Sequence, residues 1–277
     1  MMRILLLTVI FYLPISATAS DEIGVASINL CADQLVMLLA EDSQIRSLSN
    51  LSHQEAGSYY FERAREYPVN EGNAEQILNL QPDVVIAGQY SSPHTLALLR
   101  EVGLQVHILP IANSIEQMFE NIESVSRWVG QEERGRGTVA YLREKLSWRV
   151  AVEGDRLMAA AFDPNGYTSG ASSLRGEVIE LAGFRNAASE AGIESYGKLS
   201  LEALINLNPD ALIESPYSPG TWSRAQAMSQ HPALRSAGID PQIIPVPSRM
   251  MVCAGPWTLD VIEQLDIARI ELMSASQ

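Results

Sequence analysis

One stretch of this sequence occurs twice. Asn73-Ala74-Glu75-Gln76-Ile77-Leu78-Asn79-Leu80-Gln81-Pro82-Asp83-Val84-Val85-Ile86 is matched by Ser200-Leu201-Glu202-Ala203-Leu204-Ile205-Asn206-Leu207-Asn208-Pro209-Asp210-Ala211-Leu212-Ile213, with the same Glu, Asn, Leu, Pro, Asp and final Ile. In each copy a capping residue opens a short helix with Glu two places inside it, a Pro closes the turn, and a buried strand follows. The copies lie nearly half the chain apart, so the sequence predicts two like halves instead of one continuous sheet. Two lobes enclose a cleft, and such clefts are where small ligands bind.

The rest of the chain fits that division. Val25–Ile28 reads as a strand leading into a helix over Ala32–Leu39, Asp83–Ala87 leads into His94–Arg100, and Val106–Leu109 closes the first set. Strand and helix alternate with few hairpin signals, the pattern of α/β lobes built on parallel sheets flanked by helices, each Rossmann-like. From Ser114 to about Gly154 there is no strand signal and no Pro; Ser114-Ile115-Glu116-Gln117 opens a first helix as a capping box. After Gly130 a second helix is expected from Gln131 to about Val152, roughly 30 Å of spine at about 1.5 Å per residue. Alternation then resumes through Leu157–Phe162, Glu177–Ala182, Ala211–Glu214 and Ile243–Val246 to a last helix from Trp257. The expected divisions are 1–19 as a signal peptide, 20–113 as the first lobe, 114–154 as the helical linker and 155–277 as the second lobe.

The signal peptide is read from Arg3, the apolar run Ile4–Leu13 and the small-residue ending Ala17-Thr18-Ala19. Its apolar core is shorter than the roughly 20 residues that span a bilayer as a helix. No cysteine precedes Cys31, so Ser20 at the first mature position takes no lipid, and the expected product is an exported, soluble monomer of the periplasm. Of 277 residues, 33 are Asp or Glu and 19 are Lys or Arg, a formal net charge of −14 that argues against nucleic acid as a partner.

The order and spacing of these segments resemble the periplasmic substrate-binding proteins of ABC importers that carry iron chelates, haem or vitamin B12. The resemblance spans nearly the whole mature chain. It rests on Ser27-Ile28-Asn29-Leu30-Cys31-Ala32-Asp33-Gln34-Leu35, the two Glu-containing repeats, Tyr167-Thr168-Ser169-Gly170 and Ala254-Gly255-Pro256-Trp257. It implies two α/β lobes joined by one long helix, no enzymatic activity, no cofactor, and a metal chelate as cargo: a ferric siderophore, a cobalamin-type corrinoid or haem. It also implies that Glu75 and Glu202 dock the two lobes onto Arg pockets of a dimeric ABC permease. The simpler role for each Glu is to favour the dipole of its helix, worth roughly 0.3–1 kcal/mol.

Residues at the C-terminal ends of the strands are expected to line the cleft. In the first lobe these include Cys31, Asn50, Asn70, Gln89 and Tyr90; in the second, Tyr167, Tyr196, Tyr217, Arg249 and Cys253. By resemblance Tyr196 stands where vitamin B12 binders carry a Trp beside the ligand, and Tyr167 lies next to another aromatic contact. The chain departs from those binders at Arg249 and Cys253, which fall where they have acidic and basic cleft residues. Tyrosines suit a flat macrocycle or catecholate because each offers an apolar face and a hydroxyl. Arg249 is either a partner for an anionic chelate or a charge on the rim. Cys31 and Cys253 are each at the cleft end of a lobe, and three readings stay open for them: a disulfide tying the lobes, inert thiols, or contact with the cargo.

Other classes leave distinct marks. A binder of bare zinc or manganese gathers three or four His and carboxylates, whereas His53, His94, His107 and His231 are scattered and form no His-x-His motif. Gly135-Arg136-Gly137-Thr138-Val139-Ala140 superficially fits a dinucleotide fingerprint but follows no strand. A Cys31 nucleophile paired with His53 is the one enzyme arrangement the sequence offers, and a sensor or scaffold on the same lobes is a third class.

Overall fold

A computed structural model of the chain describes residues 22–149, 156–216, 228–229 and 231–275. The expected signal peptide, the last turn of the expected spine around Val152, and Tyr217 lie outside the described residues.

The first lobe runs β1 (Val25–Ser27), α1 (Leu30–Leu39), β2 (Ile45–Ser49), α2 (Phe61–Ala64), β3 (Val69–Asn70), α3 (Ala74–Asn79), β4 (Val84–Gly88), α4 (Pro93–Glu101) and β5 (Gln105–Leu109). Its five strands are all parallel, in the order β3-β2-β1-β4-β5. Two helices follow, α5 (Ile115–Trp128) and α6 (Glu132–Ser147). The second lobe runs β6 (Met158–Ala161), β7 (Tyr167–Ser169), α7 (Leu174–Leu181), β8 (Arg185–Asn186), α8 (Ala187–Glu190), β9 (Tyr196–Lys198), α9 (Leu201–Leu207), β10 (Ala211–Glu214), α10 (Pro232–Ser236), β11 (Gln242–Pro245) and α11 (Trp257–Ala275). Its main sheet is parallel in the order β11-β10-β6-β8, and β7 pairs antiparallel with β9 beside it.

The repeated segments build α3–β4 and α9–β10, and they lie in separate sheets. Setting β4 against β10 and β1 against β6 makes the strand orders coincide. Corresponding residues do the same work twice. Asn73 and Ser200 cap their helices, accepting from Gln76 N and Ala203 N at 3.0 and 3.1 Å. The residue before each Pro, Gln81 or Asn208, takes a positive φ of 46° or 47° that stops the helix. The Asp after each Pro reaches the start of the central strand: Asp83 Oδ2 accepts from Gly24 N at 2.6 Å and Asp210 Oδ2 from Met158 N at 2.7 Å. The Pro-Asp junction therefore registers each helix–strand unit against its neighbour.

The linker departs from expectation in two respects, the length of its spine and the form of its first cap. Helix α6 ends at Ser147, with Trp148 as its cap, so the spine is about 24 Å long at 1.5 Å per residue instead of 30. Its start follows the expected break at Gly130, where φ is 71°. Ser114 caps α5 through Gln117 N at 3.1 Å, while the Gln117 side chain accepts from Asn113 N at 2.8 Å, one residue before the cap it was expected to reach. Gly135 and Gly137 belong to α6, and a Cβ on Gly135 would collide with Ser126 of α5, so that glycine serves helix packing. At one end Arg134 donates to the carbonyl oxygens of Leu39 and Ala40, closing the C-terminus of α1. At the other, Lys145 bridges to Asp260 at 2.7 Å and Arg149 to Asp266 at 3.1 Å, both on α11. The spine is thus tied to both lobes.

Candidate ligand-binding site

In an open parallel sheet the crevice forms where the chain reverses its direction of strand addition. The reversal falls between β1 and β4 in the first lobe and between β6 and β10 in the second, and the two lobes face each other there. The cleft encloses about 400 Å³. Its first-lobe wall comes from Asn29 and Cys31 after β1, Gln89 and Tyr90 after β4, and the apolar stretch Leu109–Ala112 at the end of β5; the second lobe contributes Leu174, Arg175, Tyr196 and Met251–Ala254. Tyr90 and Tyr196 stand at its rim, 85% and 63% exposed.

The floor is built by close backbone approach. Asn29 Oδ1 caps α1 through the N–H groups of Cys31 and Ala32 at 3.0 and 3.1 Å. A Cβ at Gly88 would fall 2.3 Å from Asn29 Nδ2, so the end of β4 must be glycine for that cap to seat. Across the floor Cys31 and Cys253 are joined by a disulfide, with their Cα atoms 5.2 Å apart.

Beneath the disulfide the lobes are clasped a second time. Trp257, 1% exposed, donates Nε1 to Cys253 O at 2.9 Å and stacks on Tyr59 with ring centroids 4.7 Å apart, while Tyr60 meets it edge-on. Gly255 leaves room for that indole, whose ring lies 2.3 Å from where a Cβ would stand. This gives the Ala254-Gly255-Pro256-Trp257 motif a structural role. Ser248 Oγ donates to Ala56 O.

Not every expected site residue reaches the cleft. Cys31, Gln89, Tyr90, Tyr196 and Cys253 line it; Asn50, Asn70, Tyr167 and Arg249 do not. Asn50, itself exposed, opens a 3-10 turn after β2, on the far side of β1 from the crevice. Asn70 is fully buried at the edge strand, donating to Ser27 O and Ser47 Oγ at 2.8 Å each, so it holds the sheet together. Tyr167 is half exposed with Lys198 Nζ 4.4 Å from its ring centre. Arg249 belongs to the clasp, 3.9 Å from Glu55 and with its guanidinium 5.8 Å from the centre of the Phe61 ring.

The residue that sequence reasoning missed is Arg175, in the first turn of α7. It pairs with Asp163 through both terminal nitrogens. The histidines take separate places: His53 Nε2 meets Ala64 O at 3.0 Å, His107 stacks on Trp128, His231 caps α10, and His94 is exposed on α4. Among the described residues no group of three or more His, Cys, Asp or Glu is gathered that would hold a metal ion.

Behind the floor lies Asp33, fully buried, accepting from Ser49 N at 3.0 Å and from Ser49 Oγ. Burial lifts its carboxyl from 3.8 to about 7, against the lowering effect of bonds from Ser27 and Ser49. The folded state therefore binds this proton more tightly than the unfolded chain does. The stabilisation is complete below about pH 4 and is lost as pH rises through about 7, an upper bound of about 4 kcal/mol. Melting temperature should fall between about pH 4 and about pH 7 and level off above that, and Asp33→Asn should flatten that slope. An unaltered slope in the variant would remove Asp33 as its origin.

The periplasmic binding protein family model matches residues 25–247. An uncharacterized ABC transporter substrate-binding lipoprotein of Bacillus subtilis is 22% identical, over 70% of this chain and 63% of its own length. A cobalamin-binding protein of Halobacterium salinarum is 26% identical, over 70% and 54%. The chain thus spans little more than half to under two thirds of these curated relatives. Among solved structures, the periplasmic heme-binding protein of Roseiflexus superposes with a TM-score of 0.72 at 21% identity, covering 92% of this chain and all of that one. No helix among the described residues is long and apolar enough to cross a membrane. With its duplicated sheets, facing crevices and a family match that runs from β1 past β11, the chain belongs to the periplasmic binding protein family.

Proposed function

We propose that this protein is the substrate-binding component of an ABC importer, exported to the periplasm, where it captures a metal chelate between its lobes and delivers it to a permease dimer. One observation carries the reading: two like lobes, tied across an aromatic-rimmed apolar cleft, each present an exposed Glu at the same point of the repeat, Glu75 and Glu202. The cobalamin- and heme-binding relatives support a flat chelate as cargo. Capture and docking need no bond chemistry. Cys31, held in a disulfide, offers no thiolate, and His53 is turned to a backbone carbonyl, so the one enzyme pairing in the sequence is dismantled.

A thermal-shift screen of the mature protein against cobalamin, haem and ferric siderophores tests this. Cargo at 100 times its dissociation constant should stabilise the fold by about 2.7 kcal/mol. Absence of a shift with every chelate would contradict the reading. Tyr196→Ala should weaken the cargo that binds by about tenfold through loss of ring contact at the rim, measured by titration calorimetry; unchanged affinity would place the cargo elsewhere.

A further inference from the structure

The whole chain is strongly acidic, yet among the described residues lining the cleft only Arg175 is ionic. Its charge is already spent on Asp163. Both terminal nitrogens donate to that carboxylate, the second at 3.3 Å, and the second also lies 3.5 Å from Ser215 Oγ. The two side chains are set back into the wall, 15% and 25% exposed. The cleft therefore offers cargo side-chain amides, phenols and apolar surface, with no uncompensated charge.

We infer that the Arg175–Asp163 pair sets the charge selectivity of the cleft, admitting uncharged chelates and rejecting multiply anionic ones. The inference rests on the carrier reading and narrows its cargo. An anionic group entering the cleft loses hydration and needs a cation in return. Arg175 already shares its charge with Asp163, so it neutralises a second anion fully only by releasing that carboxylate, which is then left partly buried without its partner. The acidic body adds long-range repulsion. Cyanocobalamin, whose phosphodiester charge is balanced by its cobalt–corrin centre, and a ferric trihydroxamate, whose three hydroxamate charges are cancelled by the iron, carry no net charge and present mainly amide and apolar surface, so neither needs such an exchange. A ferric triscatecholate with its several negative charges does, and so does haemin with its two carboxylates.

Titration calorimetry with four probes tests this: cyanocobalamin, a ferric trihydroxamate, a ferric triscatecholate and haemin. The wild type should bind one neutral chelate at least about tenfold more tightly than either anionic one. Asp163→Asn unmasks the Arg175 charge and should narrow that ratio about tenfold; Arg175→Gln leaves Asp163 unpaired and should widen it. The wild-type ratio stands even if a variant folds poorly. Tighter binding of haemin or the triscatecholate, or well-folded variants that leave the ratio unchanged, would overturn the inference while sparing the carrier reading. If none of the four probes binds, the carrier reading fails and the inference with it.

Discussion

Replacing both cysteines, Cys31→Ala with Cys253→Ala, is expected to cost about 5 kcal/mol of stability, because the disulfide closes a loop across a sequence separation of 222 residues. In a chain of this size that is a fall of about 10 °C or more in melting temperature. The loss arises mainly in the unfolded chain, which regains the freedom that the cross-link removes. The folded lobes keep their second clasp, since Trp257 still packs against Tyr59 and Tyr60. The variant should therefore fold and bind cargo, but with wider excursions of the lobes. Thermal and urea unfolding of the oxidised wild type beside the double variant measures the effect. A fall of less than about 2 °C would show that the clasp alone sets lobe pairing.

The second large effect concerns delivery. Charge reversal at both glutamates, Glu75→Arg with Glu202→Arg, should reduce uptake in cells by at least about a hundredfold, since coupling between close charge pairs at an interface reaches roughly 1.5–7 kcal/mol. Both side chains are exposed in the first turn of their helices. The Glu202 carboxyl is held below its ordinary range by its own backbone N–H and then by the Ser200 hydroxyl, which keeps it ionised for an Arg partner. Chelate affinity of the purified variant should stay within about twofold, because neither residue lines the cleft. Full uptake by the double variant would reduce both residues to helix-dipole groups.

The repeat was legible because its signals are local. A cap, a Pro and an Asp within one helix–strand unit specify the junction wherever it occurs, and Asp83 and Asp210 make the same bond in both lobes. The cleft was legible only in part, because strand order is not written in the strands. Asn50 follows β2 and Asn70 ends β3 much as Gln89 and Tyr90 follow β4, but β2 and β3 add on the side away from the crevice. Arg175 reads as an ordinary charge in a first helical turn until the fold sets it against Asp163. Arg249 is drawn from the cleft by Glu55 and Phe61, partners that the sequence places in the other lobe. The spine ends sooner than its composition implies: helix-favouring residues continue past Ser147, but α6 stops there, with Lys145 in its last turn and Arg149 just beyond it both paired to α11.

Two ties across the lobes, one covalent and one aromatic, together with a helical spine, leave little room for a wide hinge. The most direct test is a crystal structure of the oxidised protein with the chelate that stabilises it most. The cargo should lie between Tyr90 and Tyr196 above the Cys31–Cys253 bond, with the lobes rotated by only a few degrees from the free form. Cargo bound outside the cleft, or lobes swung apart through a large angle while the disulfide is intact, would contradict the account.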